Sequence, residues 1–414
     1  MKLKKQDPQI AKLIELETDR QKTSLQMIAS ENHSSFAVRE ALGSILTDKY
    51  AEGYPGKRYY GGNEFIDKVE NLCIDRAKKL FKVEHVNVQP HSGSPANMAV
   101  YMSLCNPSDT IMGMALDMGG HLTHGSKYSF SGKLFNAVQY HLDEKTHLVN
   151  YDEVEKLAKE HNPKLMWVGF SAYPRILDWK RLGQIADSVG AYLAADIAHI
   201  AGLVAGGVHP SPVPYVHIVT TTTHKTLRGP RGGLIMVTKK GMEKDPELGK
   251  KINKAIFPGI QGGPHENAIA AIAVCLKEAS LPAFKRYAKQ ILTNAKVLAE
   301  ALKGYGFEII SGGTENHLIL IDLRNKNITG QDAQDLLESS GISTNRNAIP
   351  YDPAGPFKPS GLRLGTPAIT TRGMKEKEMK QIAAWINEII AKPASAKKIK
   401  EEIKKLCKKF PLPK

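Results

Sequence analysis

Between residues 75 and 240, short continuous apolar runs alternate with stretches of helical periodicity. The runs at 86–88, 110–114, 165–170, 191–195, 216–220 and 234–238 predict strands buried on both faces. Such strands separated by helices imply a largely parallel sheet covered on both sides, whose ligands gather at the carboxyl ends of the strands. Ahead of this region, Asp7 as N-cap and Pro8 at the first helical position open a helix with Ile10, Leu13 and Ile14 on one face, which reads as an arm. Behind it, an amphipathic stripe predicts a long helix over 284–302, just after Pro282 and stopped by Gly304. Strand-like segments at 307–310 and 317–323 and a helix over 331–339 then predict a smaller α+β domain. The expected organisation is an N-terminal helical arm (1–48), a large domain (49–281) and a small C-terminal domain (282–414).

A length of 414 residues excludes a small disulfide scaffold. The four cysteines, Cys73, Cys105, Cys275 and Cys407, are scattered without a CxxC pair, so neither a disulfide framework nor a zinc site is expected. The longest apolar run, 268–276, is far below the ~20 residues that cross a bilayer. The basic N-terminus has no apolar stretch behind it, and a cytoplasmic, non-membrane protein is the expectation. Net charge is +15, and nine lysines fall between residues 392 and 414. Ile399, Ile403, Leu406 and Phe410 recur there at helical spacing, so the tail predicts a surface helix with lysines outward. No interleaved arginines and aromatics accompany the lysines, and nucleic acid is not the expected partner.

The segment Val219-Thr220-Thr221-Thr222-Thr223-His224-Lys225 runs a β-branched strand into a lysine and then a turn rich in glycine and proline. Upstream by 29 residues, an apolar strand ends in Asp196, with His199 one helical turn beyond. A carboxylate at a buried strand end is costly without a positive partner. The pair is accounted for together by pyridoxal phosphate, whose aldehyde reacts with a lysine and whose ring nitrogen needs an acidic partner. His91-Ser92-Gly93-Ser94-Pro95 follows a strand and opens an apolar helix, with Ser94 as the predicted N-cap and Pro95 at the first helical position. It reads either as a simple cap or as a phosphate cradle.

These motifs, together with Ile28-Ala29-Ser30-Glu31-Asn32, the block from Tyr50 to Gly62, the block from Gly119 to Gly125, Gln261-Gly262-Gly263-Pro264 and the block from Ser360 to Ala368, closely resemble the serine hydroxymethyltransferases. The resemblance runs from about residue 8 to 410. It implies the pyridoxal phosphate fold type I, an α/β fold with a mostly parallel seven-stranded sheet, helices on both faces and a smaller α+β C-terminal domain. The implied reaction is reversible transfer of the serine hydroxymethyl group to tetrahydrofolate, giving glycine and methylenetetrahydrofolate, in a homodimer with shared active sites.

By position, the resemblance makes Lys225 the Schiff-base lysine, Asp196 the ring-nitrogen partner and His121 the imidazole stacked on the ring. His199 is implied near the ring oxygen and the substrate, Ser171 beside the cofactor, and Ser92, Gly93, Ser94 and His224 around the phosphate and lysine. Tyr50 and Gly263 are implied to reach the phosphate of the neighbouring subunit. Arg363, with Ser30 and Tyr60, is implied to hold the amino-acid carboxylate, and Glu52 to transfer a proton where substrate and folate meet. The implied folate set is Tyr59, Leu116, Gly120, His121, Leu122, Asn347 and the turn Gly355-Pro356-Phe357.

Two other readings stay open at this level. A folate-independent aldolase acting on β-hydroxy amino acids shares Lys225, Asp196 and Arg363, and an RNA-binding protein uses only the basic tail. His121 and His124 have HxxH spacing, but no third ligand of suitable type stands nearby in the sequence, so no metal is expected. Glu52 has a purely structural alternative as a partner of Lys57 or Arg58. Met102, Met112, Met114 and Met118 read as core filling.

Overall fold

A computed structural model of the chain describes residues 2–355 and 358–413. Its centre is a seven-stranded sheet of β1 (His85–Asn87), β2 (Thr110–Met114), β3 (Asn136–Tyr140), β4 (Leu165–Gly169), β5 (Tyr192–Asp196), β6 (Ile218–Thr222) and β7 (Gly233–Val237). The spatial order is β1-β7-β6-β5-β4-β2-β3. β7 lies antiparallel to both β1 and β6, while the other pairings are parallel. β4 and β6 are buried along their whole length, as continuous apolar or β-branched strands covered on two faces must be.

β3 has no counterpart among the predicted strands. It is one of the two edge strands, with an exposed first residue and three half-buried ones, so its sequence lacks the unbroken apolar run of the central strands. β6 sits two residues later than predicted, because the hydrogen-bonded register with β7 runs from Ile218 to Thr222.

A four-stranded antiparallel sheet forms the second core, with β8 (Glu308–Ile309), β9 (Leu318–Asp322), β10 (Asn345–Asn347) and β11 (Gly361–Gly365) in the order β8-β9-β11-β10. Leu25 and Met27, from the segment after the first long helix, are packed in this core. Leu25 and Gln26 pair in parallel with Ile342 and Ser343.

Among the helices, α1 (Pro8–Thr23) is capped by Asp7, whose side chain accepts from Ile10 N at 3.0 Å. α2 (Glu64–Phe81) packs against α4 (Glu266–Ala279), and α3 (Gly93–Leu104) lies on the large sheet. α5 (Pro282–Gly304) begins at Pro282 rather than after it and retains Gly304, with Tyr305 as its cap. α6 (Glu376–Ala391) is followed by α7 (Ala396–Lys409), which buries Ile399 and Ile403 and leaves most lysines outward. Among the described residues no single helix is long and apolar enough to cross a membrane. Met112, Met114 and Met118 are buried as expected, whereas Met102, on the outer face of α3, is exposed.

Candidate active site

Three strand ends and the loops that follow them converge. Asp196 closes β5, between Gly169 of β4 and Thr220 of β6 in the sheet register. Gly169 has a φ of +146°, and a Cβ there would stand 2.3 Å from the Asp196 carbonyl, so the neighbouring strand can approach only a glycine. Lys225 follows β6, and its Nζ donates to Thr222 Oγ1 at 3.0 Å. Asn32 holds the loop from outside, donating to the Lys225 carbonyl at 2.9 Å. The Ile28 to Asn32 block thus bears on the lysine backbone.

Asp196 sits in a network of fixed donors. Asn97 Nδ2 donates to its Oδ2 at 2.9 Å, and the Ala198 N–H donates to its Oδ1 at 2.9 Å. His124 Nε2 stands 3.4 Å from Oδ2 without the alignment of a hydrogen bond, and its ring stacks on Trp167. Burial alone would raise the Asp196 carboxyl, but His124, His121 and Asn97 outweigh it and hold the group below the usual carboxylate range. It is an anion wherever the protein is folded near neutral pH.

Lys225 is displaced the other way. Burial lowers its amine to about 8, the attraction of Asp196 opposes this, and Arg363 and Arg231 add to the lowering. Roughly a tenth is therefore unprotonated at pH 7, far more than for an ordinary exposed lysine. His121 is lowered to about 4 and His224 to about 3, chiefly by burial, so both imidazoles are neutral. His121 Nδ1 is 2.8 Å from Thr123 Oγ1, which also accepts from Asn97.

The Ser92 to Pro95 turn differs from the prediction. α3 starts at Gly93 with Ser92 in the N-cap position, so Ser94 is not the cap and Pro95 stands inside the first turn. The reason is that proline is tolerated throughout a first turn, whose N–H groups have no intrahelical acceptor. A Cβ on Gly93 would meet Thr222 Cγ2 at 2.7 Å, which seats the helix start directly against the end of β6. The Ser92 side chain makes no capping bond, leaving hydroxyls and free N–H groups together at this end.

Arg363, on β11, donates from Nη1 to the Ser171 carbonyl at 2.6 Å and from Nε to Asn345 Oδ1 at 2.9 Å. Among the described residues no carboxylate pairs with it. Burial lowers it to about 10, so it keeps its charge at neutral pH. Gly365 N donates to the Met27 carbonyl at 2.7 Å, which brings the segment carrying Ser30 alongside β11. His199 contacts His317 through their ring nitrogens at 3.2 Å.

A second group of predicted residues gathers around Glu52 and the Gln261–Gly263 segment, where Gln261 Oε1 accepts from His91 N at 3.1 Å. Tyr50 donates to Glu52 Oε1 at 3.3 Å, packs edge-on against Tyr60 with centroids 5.0 Å apart, and lies 3.6 Å from where a Cβ of Gly263 would be. Tyr59 packs against Phe257 and is 75% exposed. None of these makes a hydrogen bond or ion pair to Lys225, Asp196 or Arg363 among the described residues. Arg58 is engaged by Asp67 at 2.9 Å and Glu70 at 2.6 Å and does not pair with Glu52.

Of the folate set, Leu116 and Leu122 are partly exposed near His121, and Gly120 is packed so that a Cβ would stand 2.1 Å from the Met114 carbonyl. Asn347 ends β10, Gly355 has a φ of +71°, and Pro356 and Phe357 lie outside the described residues.

Sequence reasoning missed Asn97, Thr123, Asn345 and His317. Asn97 carried a signal, as a lone amide in the apolar face of a helix. The expectation that His121 and His124 lack a third partner is corrected: the fold brings Asp196 to them, with ligand atoms within 4.8 Å of one another.

These groups fit pyridoxal phosphate on their own chemistry. A fixed anion suits a protonated ring nitrogen, a depressed lysine suits an aldehyde, and a helix start seated against β6 suits a phosphate. A family model described as serine hydroxymethyltransferase matches residues 3–386.

Proposed function

Because the chain belongs to the serine hydroxymethyltransferase family, whose members use pyridoxal phosphate to transfer the serine hydroxymethyl group to tetrahydrofolate with formation of glycine, we propose that Lys225, Asp196 and Arg363 carry this chemistry here. When bound, pyridoxal phosphate supplies an electron sink for cleavage of the bond between serine Cα and Cβ. Asp196 remains anionic and keeps a proton on the ring nitrogen. Lys225 offers the amine that anchors the aldehyde. Ser92, Gly93 and Ser94, at the start of α3, hold the phosphate, and neutral His121 provides a flat face for the ring.

The single observation that carries the assignment of the substrate site is Arg363. It is a sunken guanidinium held in place by a carbonyl and an amide, with no carboxylate partner among the described residues. Its remaining N–H groups suit an amino-acid carboxylate in a planar, two-point contact.

Glu52 is the proposed proton-transfer group. Its cluster with Tyr50 and Gly263 makes no hydrogen bond to Lys225 within one chain, and in this reading the site is completed in a homodimer in which Tyr50 and Gly263 reach the partner's phosphate. The exposed Ile10, Leu13 and Ile14 of α1 add uncovered apolar surface for such an association. Folate contacts are assigned to Tyr59, Leu116, Gly120, Leu122 and Asn347, and a cytoplasmic location is part of the same reading.

The test is glycine formation from serine by the purified protein with and without tetrahydrofolate, alongside its visible spectrum. A yellow protein whose turnover depends on folate is expected. Folate-independent cleavage alone would mean an aldolase. A colourless protein that holds RNA through residues 392–414 would overturn the enzyme reading. Mixing an inactive Lys225→Ala chain with an inactive Tyr50→Phe chain tests the shared site, since partial recovery of activity requires residues from two subunits.

A further inference from the structure

Beyond β1, an edge strand of the large sheet, the chain runs through Gln89, Pro90 and His91 before Ser92 and Gly93 open α3. On one side this short stretch is held by β7, whose Gly233 N donates to the Pro90 carbonyl at 3.1 Å. On the other side the Gln261 side chain takes its place. Gln261 Nε2 donates to the Gln89 carbonyl at 2.9 Å, and Gln261 Oε1 accepts from His91 N at 3.1 Å. A primary amide carries a donor and an acceptor as a peptide group does, and here it makes the two bonds that one residue of a parallel neighbouring strand would make. The pair of bonds also fixes the direction of the amide, since a flip would set oxygen against oxygen and N–H against N–H.

Gln261 is itself anchored, its N–H donating to the Ile256 carbonyl at 2.9 Å. Four residues on, the His265 ring meets the His91 ring with centroids 4.1 Å apart, and the Gly263 backbone lies beside the same ring. Both ends of the 261–265 loop therefore rest on residues 89–91. The buried Gln89 side chain in turn donates to the Gly53 carbonyl at 2.9 Å. The residues just ahead of Ser92 are thus tied to both segments assigned to the neighbouring subunit's site, the one with Tyr50 and the one with Gly263.

We propose that Gln261 is a positioning residue for the cofactor phosphate, whose amide holds the backbone ahead of Ser92, Gly93 and Ser94 in register with the loop that presents Gly263. The inference rests on the reading that Ser92, Gly93 and Ser94 hold the phosphate and that Gly263 reaches the partner's phosphate. On either side of the link it is the phosphate that is served. The ring is left to Asp196, His121 and Lys225, none of which hydrogen-bonds to Gln261 among the described residues.

Deoxypyridoxine phosphate and deoxypyridoxine, which lack the aldehyde and differ from each other only in the phosphate, test this when titrated into the cofactor-free full-length protein. Gln261→Met, similar in size but without the amide, is expected to weaken the phosphate ester about 10-fold and deoxypyridoxine less than about 2-fold. A merely structural role would weaken both alike, so equal losses, or an unchanged affinity for the ester, overturn the proposal. Gln261→Asn keeps the amide but is one methylene too short to span both groups. It is expected to behave as Gln261→Met does, and it decides alone should that variant fail to fold. Amide hydrogen exchange supplies a readout without any ligand: His91 N–H is expected to be protected in the parent and to exchange at least about 10-fold faster in Gln261→Met. An unprotected His91 N–H in the parent removes the bond and the proposal with it. A parent that binds the two ligands equally contradicts the phosphate reading and the proposal together, whereas a parent that prefers the ester, with the same preference in Gln261→Met, overturns the role of Gln261 alone.

Discussion

Asn97 and Asp196 are joined by a 2.9 Å hydrogen bond in which the amide is itself held, because its Oδ1 accepts from Thr220 at 2.7 Å. The carboxylate at the end of β5 is thus oriented from α3 through the neighbouring strand. Asn97→Ala removes a donor to a buried anion and leaves the Thr220 hydroxyl unpaired, a loss of ~1–3 kcal/mol. A lower melting temperature and weaker pyridoxal phosphate binding are expected, measured by thermal unfolding and spectral titration. Unchanged values in both would show that Asn97 does not orient Asp196.

Arg363→Lys tests the carboxylate site. A lysine keeps the charge but cannot make the two-point contact or the bonds that Arg363 gives to Ser171 and Asn345. Serine and glycine binding are expected to weaken roughly 10- to 100-fold while the cofactor spectrum persists. Amino-acid affinity equal to that of the parent protein would remove Arg363 from the substrate site.

Glu52→Gln separates catalysis from support. Arg58 is already committed to Asp67 and Glu70, so no ion pair with Glu52 is at stake there. The variant is expected to keep its yellow colour and bind glycine, yet lose folate-dependent transfer by ~10²- to 10⁴-fold, with folate-free cleavage of bulkier β-hydroxy amino acids less affected. Equal losses in both reactions with a lower melting temperature would indicate a structural role.

The central strands were legible because burial on both faces forces continuous apolar sequence, and Asp196 and Lys225 were legible because one ends such a strand and the other follows one within three residues. β3 was not, since this edge strand is half-exposed along most of its length and carries no such run. The start of α3 was misplaced because a proline fits any position of a first turn. The contacts that complete the site, Arg363 with Ser171 and His199 with His317, join residues 192 and 118 positions apart, and no local pattern encodes such pairings. The motif resemblance supplied Arg363 and Glu52, which periodicity alone did not single out.

Away from Lys225, Glu266 and Glu70 crowd the single guanidinium of Arg58, at 3.9 Å and 2.6 Å. Burial, then the charge of Glu70, raises Glu266 from 4.5 to about 8. Between those values the folded chain holds a proton that the unfolded chain releases. This contribution to stability is full below 4.5 and is lost as pH rises through 8. Glu266→Gln stays neutral at every pH, so its melting temperature is expected to fall less between pH ~6 and ~9 than that of the parent. Equal falls in the two proteins would mean that Glu266 is not protonated in the folded state.

The most direct test of the central claim is borohydride reduction of the pyridoxal phosphate-loaded protein followed by peptide mapping. The account predicts a covalent label on Lys225, and its loss in Lys225→Ala. A label on another lysine, or none at all in a protein with a visible cofactor band, would contradict it.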